Sequence, residues 1–287
     1  MPKPLQVPMF KPETEWVPPT NLPDLSDRKE IAIDLETRDP NLLTMGSGSV
    51  RGDGEVIGIA VAVEGWSGYF PINHEGGGNM DRALVLDWFE EVLHTDATKI
   101  FHNAMYDVSW IRSMGYQIRG GIIDTLIAAS LIDENRWGYA LNGLGREYVG
   151  MGKNEKILQE AAKEWGINPK SEMWRLPAPL VGEYAEQDAV VTLKLWHALQ
   201  HEISKQDLWD VFNLETNLFP CLVDMKFKGV RVDVAKAEAT KAQLVDAEKE
   251  MHRDIKKLAG FDVEIWAAAS IAKAFDIVKL PYDRTEK

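Results

Sequence analysis

Residues 30–37, EIAIDLET, constrain this chain more than any other stretch, because an apolar run there ends in two carboxylates separated by a single residue. A short apolar run bounded by polar residues reads as a buried β-strand. Strand side chains two apart share a face, so Asp34 and Glu36 stand together while Leu35 points away. Like charges so placed repel, and a cation between them relieves the repulsion. Clustered carboxylates suit hard ions such as Mg²⁺ or Mn²⁺, and the remaining residues must then supply further ligands.

Composition narrows the setting. The chain has 287 residues, 45% hydrophobic and 27% charged, enough to bury a proper core in one large or two modest globular domains. Its 32 Lys and Arg against 45 Asp and Glu give a formal net charge of −13, so no global positive field draws in a polyanion. Contact with nucleic acid must come from a local basic patch, a bound metal or stacking. A single cysteine, Cys221, rules out an intrachain disulfide framework and a thiolate zinc cluster, fits a reducing compartment, and is expected as a small buried residue. No apolar run reaches the ~18 residues of a membrane span, and the start lacks a signal-peptide pattern. These features predict a cytoplasmic protein with no membrane partner, in a host cytoplasm if it is viral.

Residues 1–28, with Pro18-Pro19 and Pro23, read as an extended arm. After the strand at 31–36 comes a Gly/Ser-rich stretch at 46–54, expected as a mobile loop in which Arg51 could meet a phosphate; it lacks the Gly-Lys-Ser/Thr ending of a phosphate-binding P-loop. Residues 55–64 and 66–72 predict a hairpin, 79–94 a capped helix, 99–102 a fourth strand, and 104–114 a helix stopped by Gly115. This is an α/β pattern with a mixed sheet. Helices are predicted at 123–132, where Asp124-Thr125 fit a cap better than a metal ligand, and at 141–149, 155–165 and from Pro177-Pro179 to about residue 204. From 205 the texture turns helical: 208–228, a turn and short strand at 229–233, and a long amphipathic helix at 234–258.

Two more acids stand out by position. Asp107 falls on the first turn of the helix that follows the fourth strand. Residues just past strand ends in an α/β sheet converge on a common crevice, although an aspartate there also complements the helix dipole. Asp188 follows Tyr184 by four residues, so the two side chains lie about 40° apart on one helical face. Glu183 and Glu186 point elsewhere.

With all four acids in order and a tyrosine four before the last, the chain resembles the tyrosine subgroup of the DEDD superfamily of 3′–5′ exonucleases. Asp34-Leu35-Glu36 matches the first motif, His102 to Asp107 (HNAMYD) the second, and Tyr184 to Asp188 (YAEQD) the third. The match spans roughly residues 29–203. Further on, 215–220 (ETNLFP) and 225–233 (MKFKGVRVD) resemble the segment that links proofreading and polymerase domains in family A DNA polymerases, and 265–287 the approach to their thumb. The large Gly-containing early loop is more similar to phage polymerases. The resemblance implies a ribonuclease H-like (DnaQ-like) α/β fold with a mixed sheet flanked by helices, followed by a mostly helical C-terminal segment. Its implied parts are a Pro-rich arm (1–28), an exonuclease domain (29–204) and the helical start of a polymerase region (205–287), with no polymerase active site in the chain.

The implied activity is proofreading-type hydrolysis of the terminal phosphodiester at a single-stranded DNA 3′ end, such as a frayed primer terminus, releasing nucleoside 5′-monophosphates. The rest of a DNA polymerase or replication proteins are the implied partners. Two divalent cations, Mg²⁺ or Mn²⁺, would activate water and relieve charge on the leaving oxygen. By the same resemblance Asp34 bridges both ions, Glu36 and Asp188 complete one site, and Asp107 holds the other. Tyr184 orients the attacking water, Leu35 wedges against the terminal base, and Thr37 and Asn103 hydrogen-bond the 3′ nucleotide. One departure is Met105, where many relatives carry a lysine. His197 and His201 lack a third zinc ligand nearby, and Trp137 and Trp174 are candidates for stacking bases. Two alternatives stand beside this one: an RNA-trimming exonuclease like ribonuclease D, and an inactive exonuclease fold serving as a nucleic-acid-binding or structural module.

Overall fold

The computed structural model describes residues 14–152 and 154–283; the first 13 residues of the Pro-rich arm and the last four of the thumb-like run lie outside them. The chain divides into two compact units, Met1–Lys228 and Gly229–Lys287. In the first, five strands form one mixed sheet in the order β3-β2-β1-β4-β5. β1 (Glu30–Arg38), β2 (Glu55–Val63) and β3 (Trp66–Pro71) are antiparallel neighbours, while β4 (Thr98–Phe101) runs parallel to β1, and β5 (Ile122–Asp124) parallel to β4.

Strand alternation decides where everything else sits. Ile31, Ile33 and Leu35 of β1 pack into one core with Trp88 and Phe89 of α3 (Arg82–His94) and Trp110 and Ile111 of α4 (Ala104–Ser113). Ala32 faces the other core, built with Ala128 and Ala129 of α5 (Thr125–Ile132), Leu158 and Trp165 of α7 (Lys156–Trp165), and Trp196 and Leu199 of α8 (Gly182–Lys205). Asp34 and Glu36, in phase with Ala32, therefore emerge on the α8 face. α8 packs across β1, β2, β3 and β4, which sets its inward residues over the two carboxylates.

Several expectations are revised. Residues 123–132 are not one helix: Ile122–Asp124 is a fifth strand, and Asp124 then caps α5 by accepting from Leu126 N. Three residues carry too short a period to distinguish a strand from a helical turn without the neighbour that pairs with it. The Gly/Ser-rich stretch contains a single helical turn, α2 (Gly48–Arg51), and another, α1 (Leu42–Met45), precedes it. There Asp39 accepts from Gly48 N at 2.9 Å, and Arg51, expected to be available for a phosphate, is held by Asp53 at 2.7 Å.

Residues 141–149 form α6 (Leu141–Leu144) continued by a π-helical turn. α9 (Trp209–Lys228) buries Phe219 and Val223 in the core shared with α4, yet turns Cys221 outward, so that cysteine is exposed rather than buried. In the second unit, α10 (Val234–Ala259) begins at an Asp233 cap that accepts from Lys236 N, so the short strand expected there is absent; α11 (Ala268–Val278) follows. Among the described residues no helix is long and apolar enough to cross a membrane.

Candidate active site

Asp34, Glu36 and Asp188 each bring a carboxylate oxygen to a common point, all within 4.8 Å of one another. The first two come from one face of β1 and the third from the second turn of α8. Glu36 and Asp188 are buried and Asp34 is half-buried. Three carboxylates so confined offer the all-oxygen donor set that a hard divalent cation prefers, and their mutual repulsion disfavours the site without one.

Tyr184 lies one turn before Asp188 and hydrogen-bonds to it; burial, with the charges of Glu36, Asp188 and Asp34, pushes its phenol far above the ordinary range. In that environment the phenol is a hydrogen-bond donor to Asp188.

Asp107 stands apart from the trio. α4 delivers it to the middle of β1, where its Oδ1 accepts from Leu35 N at 2.9 Å. Burial raises its pKa, the Asp34 charge raises it further, and the Leu35 N–H acts in the opposite sense. It is thus close enough to feel Asp34, with one oxygen already engaged by the backbone between the two β1 carboxylates. Leu35 itself is only 5% exposed and packs in the α3–α4 core. The expected wedge against a terminal base is therefore corrected, since strand alternation turns this side chain away from the site and only its N–H contributes.

Thr37 exchanges a 2.6 Å hydrogen bond with the Tyr106 hydroxyl. A register shift in the β1–β2 ladder between Glu36 and Thr37 precedes it. Asn103 is exposed and occupies the left-handed region at φ 64°, which Asn tolerates better than most side chains. The turn is held by Asp124, whose carboxylate accepts from Asn103 N (2.9 Å) and Ala104 N (2.8 Å). Asp124 thus aims α4, and with it Asp107, as well as capping α5. His197 pairs with Glu30 at 2.8 Å, and His102 contacts Thr125 Oγ1 at 2.9 Å.

Three surrounding features had little sequence signal. Tyr69 of β3 is paired across the sheet with Ala60, which is paired with Asp34, so all three share the α8 face. Its ring leans over Gly58, the partner of Glu36, where a β-carbon would meet the phenol oxygen at 2.0 Å. His74 Nε2 accepts from the Tyr69 hydroxyl at 2.6 Å, because Nδ1 must donate to the Leu176 carbonyl at 3.1 Å. At Met105, where a lysine was expected from relatives, the carbonyl is approached instead by Lys226 of α9: its Nζ lies 3.4 Å from Met105 O and 3.0 Å from Ser109 Oγ. Finally, Arg38 at the end of β1 sits 4.6 Å over the Trp174 ring, a cation–aromatic ledge just beyond the carboxylates. Trp137 is fully exposed.

Comparison with known proteins places the chain in a family. The family model of the 3′–5′ exonuclease of family A DNA polymerases matches residues 21–204. A DNA-directed DNA polymerase of Pseudomonas phage M6 is 33% identical, over 99% of this chain and 44% of that polymerase. The DNA polymerase DpoZ of Salmonella phage PMBT28 is 29% identical, over 90% of this chain and 40% of that protein. The chain thus spans less than half the length of these relatives. Among solved structures, the polymerase domain of Mycobacterium smegmatis Pol1 with DNA primer-template and dNTP superposes with TM-score 0.61 at 15% identity, over 91% of this chain and 40% of that one. Brucella melitensis NrnC with bound Mg²⁺ gives TM-score 0.52 at 18% identity, over 73% of this chain and 90% of that one. The shared fold is the ribonuclease H-like one.

Proposed function

This chain belongs to the 3′–5′ exonuclease family of family A DNA polymerases, and we propose from that premise that it removes nucleotides from DNA 3′ ends by a metal-dependent, proofreading-type hydrolysis. The observation that carries the reading is the convergence of Asp34, Glu36 and Asp188 beside Tyr184. In this reading Asp34, Glu36 and Asp188 would hold one divalent cation, and Asp107 would help to hold a second; Mg²⁺ and Mn²⁺ both suit the carboxylate set. Bound cations of this kind lower the pKa of water and stabilise a leaving oxygen.

The chain's own groups do the rest. Tyr184 donates a hydrogen bond to Asp188, and its oxygen accepts a hydrogen bond from the attacking water, aiming it at the terminal phosphorus. A P–O bond forms to that water as the bond to the 3′ oxygen of the preceding nucleotide breaks; the water's proton passes to solvent and the leaving 3′ oxygen takes one from solvent, releasing a nucleoside 5′-monophosphate and a new 3′ hydroxyl. Asp107 keeps β1 in register through Leu35 N, so that Asp34 and Glu36 present a fixed pair. Thr37 and Asn103 flank the 3′ nucleotide. The Arg38–Trp174 ledge offers a stacking surface to the preceding bases, in a protein whose overall charge would otherwise repel the strand. Residues 205–287 correspond in this reading to the start of a polymerase region, and the frayed end of a primer is the natural substrate.

Digestion of a 3′-labelled single strand with Mg²⁺ or Mn²⁺ tests the reading against Asp34→Ala and Asp188→Ala. Loss of cleavage in both variants is expected; equal cleavage by all three proteins would remove the proposed site. Parallel assays on DNA and RNA strands separate the proofreading reading from an RNA-trimming one.

A further inference from the structure

Glu186 lies between the two functional residues of α8 but faces away from them, and the contact it makes there points to an additional device. Its Oε2 accepts from Trp16 Nε1 at 3.0 Å, and its Oε1 accepts from Ser67 Oγ at 2.6 Å. Trp16 belongs to the Pro-rich arm and precedes residue 21, where the match to the exonuclease family model begins. Its indole lies flat against Gly182, the first residue of α8: a β-carbon at 182 would stand 2.3 Å from the ring. The same indole meets the Tyr69 ring at 6.0 Å between centroids, and both rings belong to the α8-side core.

The start of α8 needs such support. Val181 occupies the N-cap and provides no side-chain hydrogen bond, so the first amides lack the acceptor that Ser, Thr, Asp or Asn would bring. Gly182 at the first helical position is a poor helix former. Both features favour fraying in the turn that carries Tyr184. Trp16 covers that turn, and beside it Asn154 donates to Glu183 at 2.9 Å and Gln187 donates to Gly152 O at 2.8 Å.

We infer that the arm around Trp16 is a strap that holds the first turns of α8 against the sheet, making Trp16 a positioning residue for Tyr184 and Asp188. The glycine at 182 is the counterpart of the strap, since only a residue without a side chain leaves room for the indole. The catalytic part of the inference rests on the exonuclease reading above; the structural part does not.

The test uses the full chain carrying Trp16→Ala, Trp16→Phe or Glu186→Ala. Steady-state cleavage of a 3′-labelled DNA strand with Mg²⁺ is measured together with hydrogen exchange of the amides at 182–188. Trp16→Ala is expected to lower kcat about tenfold with KM nearly unchanged, as displacement of a catalytic group does, and to speed exchange in that turn alone. Trp16→Phe, which keeps a ring over Gly182, should recover most of both. Glu186→Ala removes only the acceptor of the Trp16 indole and of Ser67 while leaving the ring itself in place, and it decides the matter if Trp16→Ala misfolds: it should shift exchange in the same direction. Exchange at 182–188 that is unchanged in Trp16→Ala and Glu186→Ala overturns the strap, as does a fall in kcat without such a change. Faster local exchange in a chain that cleaves nothing would uphold the strap and sink the exonuclease reading instead.

Discussion

Acidification from pH 7 to pH 4 should remove about 3 kcal/mol of stability through one side chain, His74. The imidazole is 3% exposed and its pKa is lowered from 6.5 to about 4, chiefly by burial. Its hydrogen bonds specify the neutral form, with Nδ1 donating to Leu176 O and Nε2 accepting from Tyr69. A second ring proton would put donors on both nitrogens and leave the Tyr69 hydroxyl without its acceptor. The unfolded chain takes up the proton below pH 6.5, whereas the folded one refuses it until about pH 4. Stability from this residue is therefore complete above 6.5 and is lost as pH falls through that window. At about 1.4 kcal/mol per pH unit, the interval of about 2.5 units is worth about 3.5 kcal/mol in full, of which about 3 kcal/mol is lost by pH 4, where the folded imidazole is half protonated.

Urea unfolding of the wild type and His74→Gln at several pH values between 7.5 and 4.5 isolates the effect, because the carboxylates titrate alike in both while glutamine can donate and accept without ionising. The stability advantage of the wild type should shrink steadily as pH falls below 6.5. Parallel pH profiles for the two proteins would refute the reasoning, and a growing wild-type advantage would reverse its sign.

Two other outcomes follow from the same face of the sheet. Saturating Mg²⁺ should raise the melting temperature of the wild type, since a ligand at about 100 times its Kd adds about 2.7 kcal/mol. Asp188→Asn should lose most of that rise while its metal-free form melts no lower, because one repelling charge is gone; an equal Mg²⁺ response in scanning fluorimetry would place the ion elsewhere. Gly58→Ala should destabilise by about 1–3 kcal/mol, the usual cost of overpacking, since the new methyl meets the Tyr69 hydroxyl at 2.0 Å. Chemical denaturation that shows no loss would mean that Tyr69 moves aside without cost.

Local pattern alone carried much of this protein. The period-two run at 30–37 specified a buried strand with Asp34 and Glu36 on one face, and the four-residue spacing from Tyr184 to Asp188 specified one helical face. Both follow from backbone geometry that a few neighbouring residues determine. What the tertiary structure alone decided depends on partners distant along the chain. β5 is a strand because β4 pairs with it. Leu35 is lost to the site as a wedge because the α3–α4 core takes its side chain, while its N–H is claimed by Asp107, 72 residues away. Cys221 is exposed because α9 turns Phe219 and Val223 inward in its place.

The supports of the site were equally hidden. The small side of Gly58 acquires its meaning only when Tyr69 lies over it, and Glu186 only when an indole 170 residues away donates to it. Spacing along a strand or helix shows which residues share a face; what that face meets is settled by packing, because contact between distant segments leaves no period in the sequence.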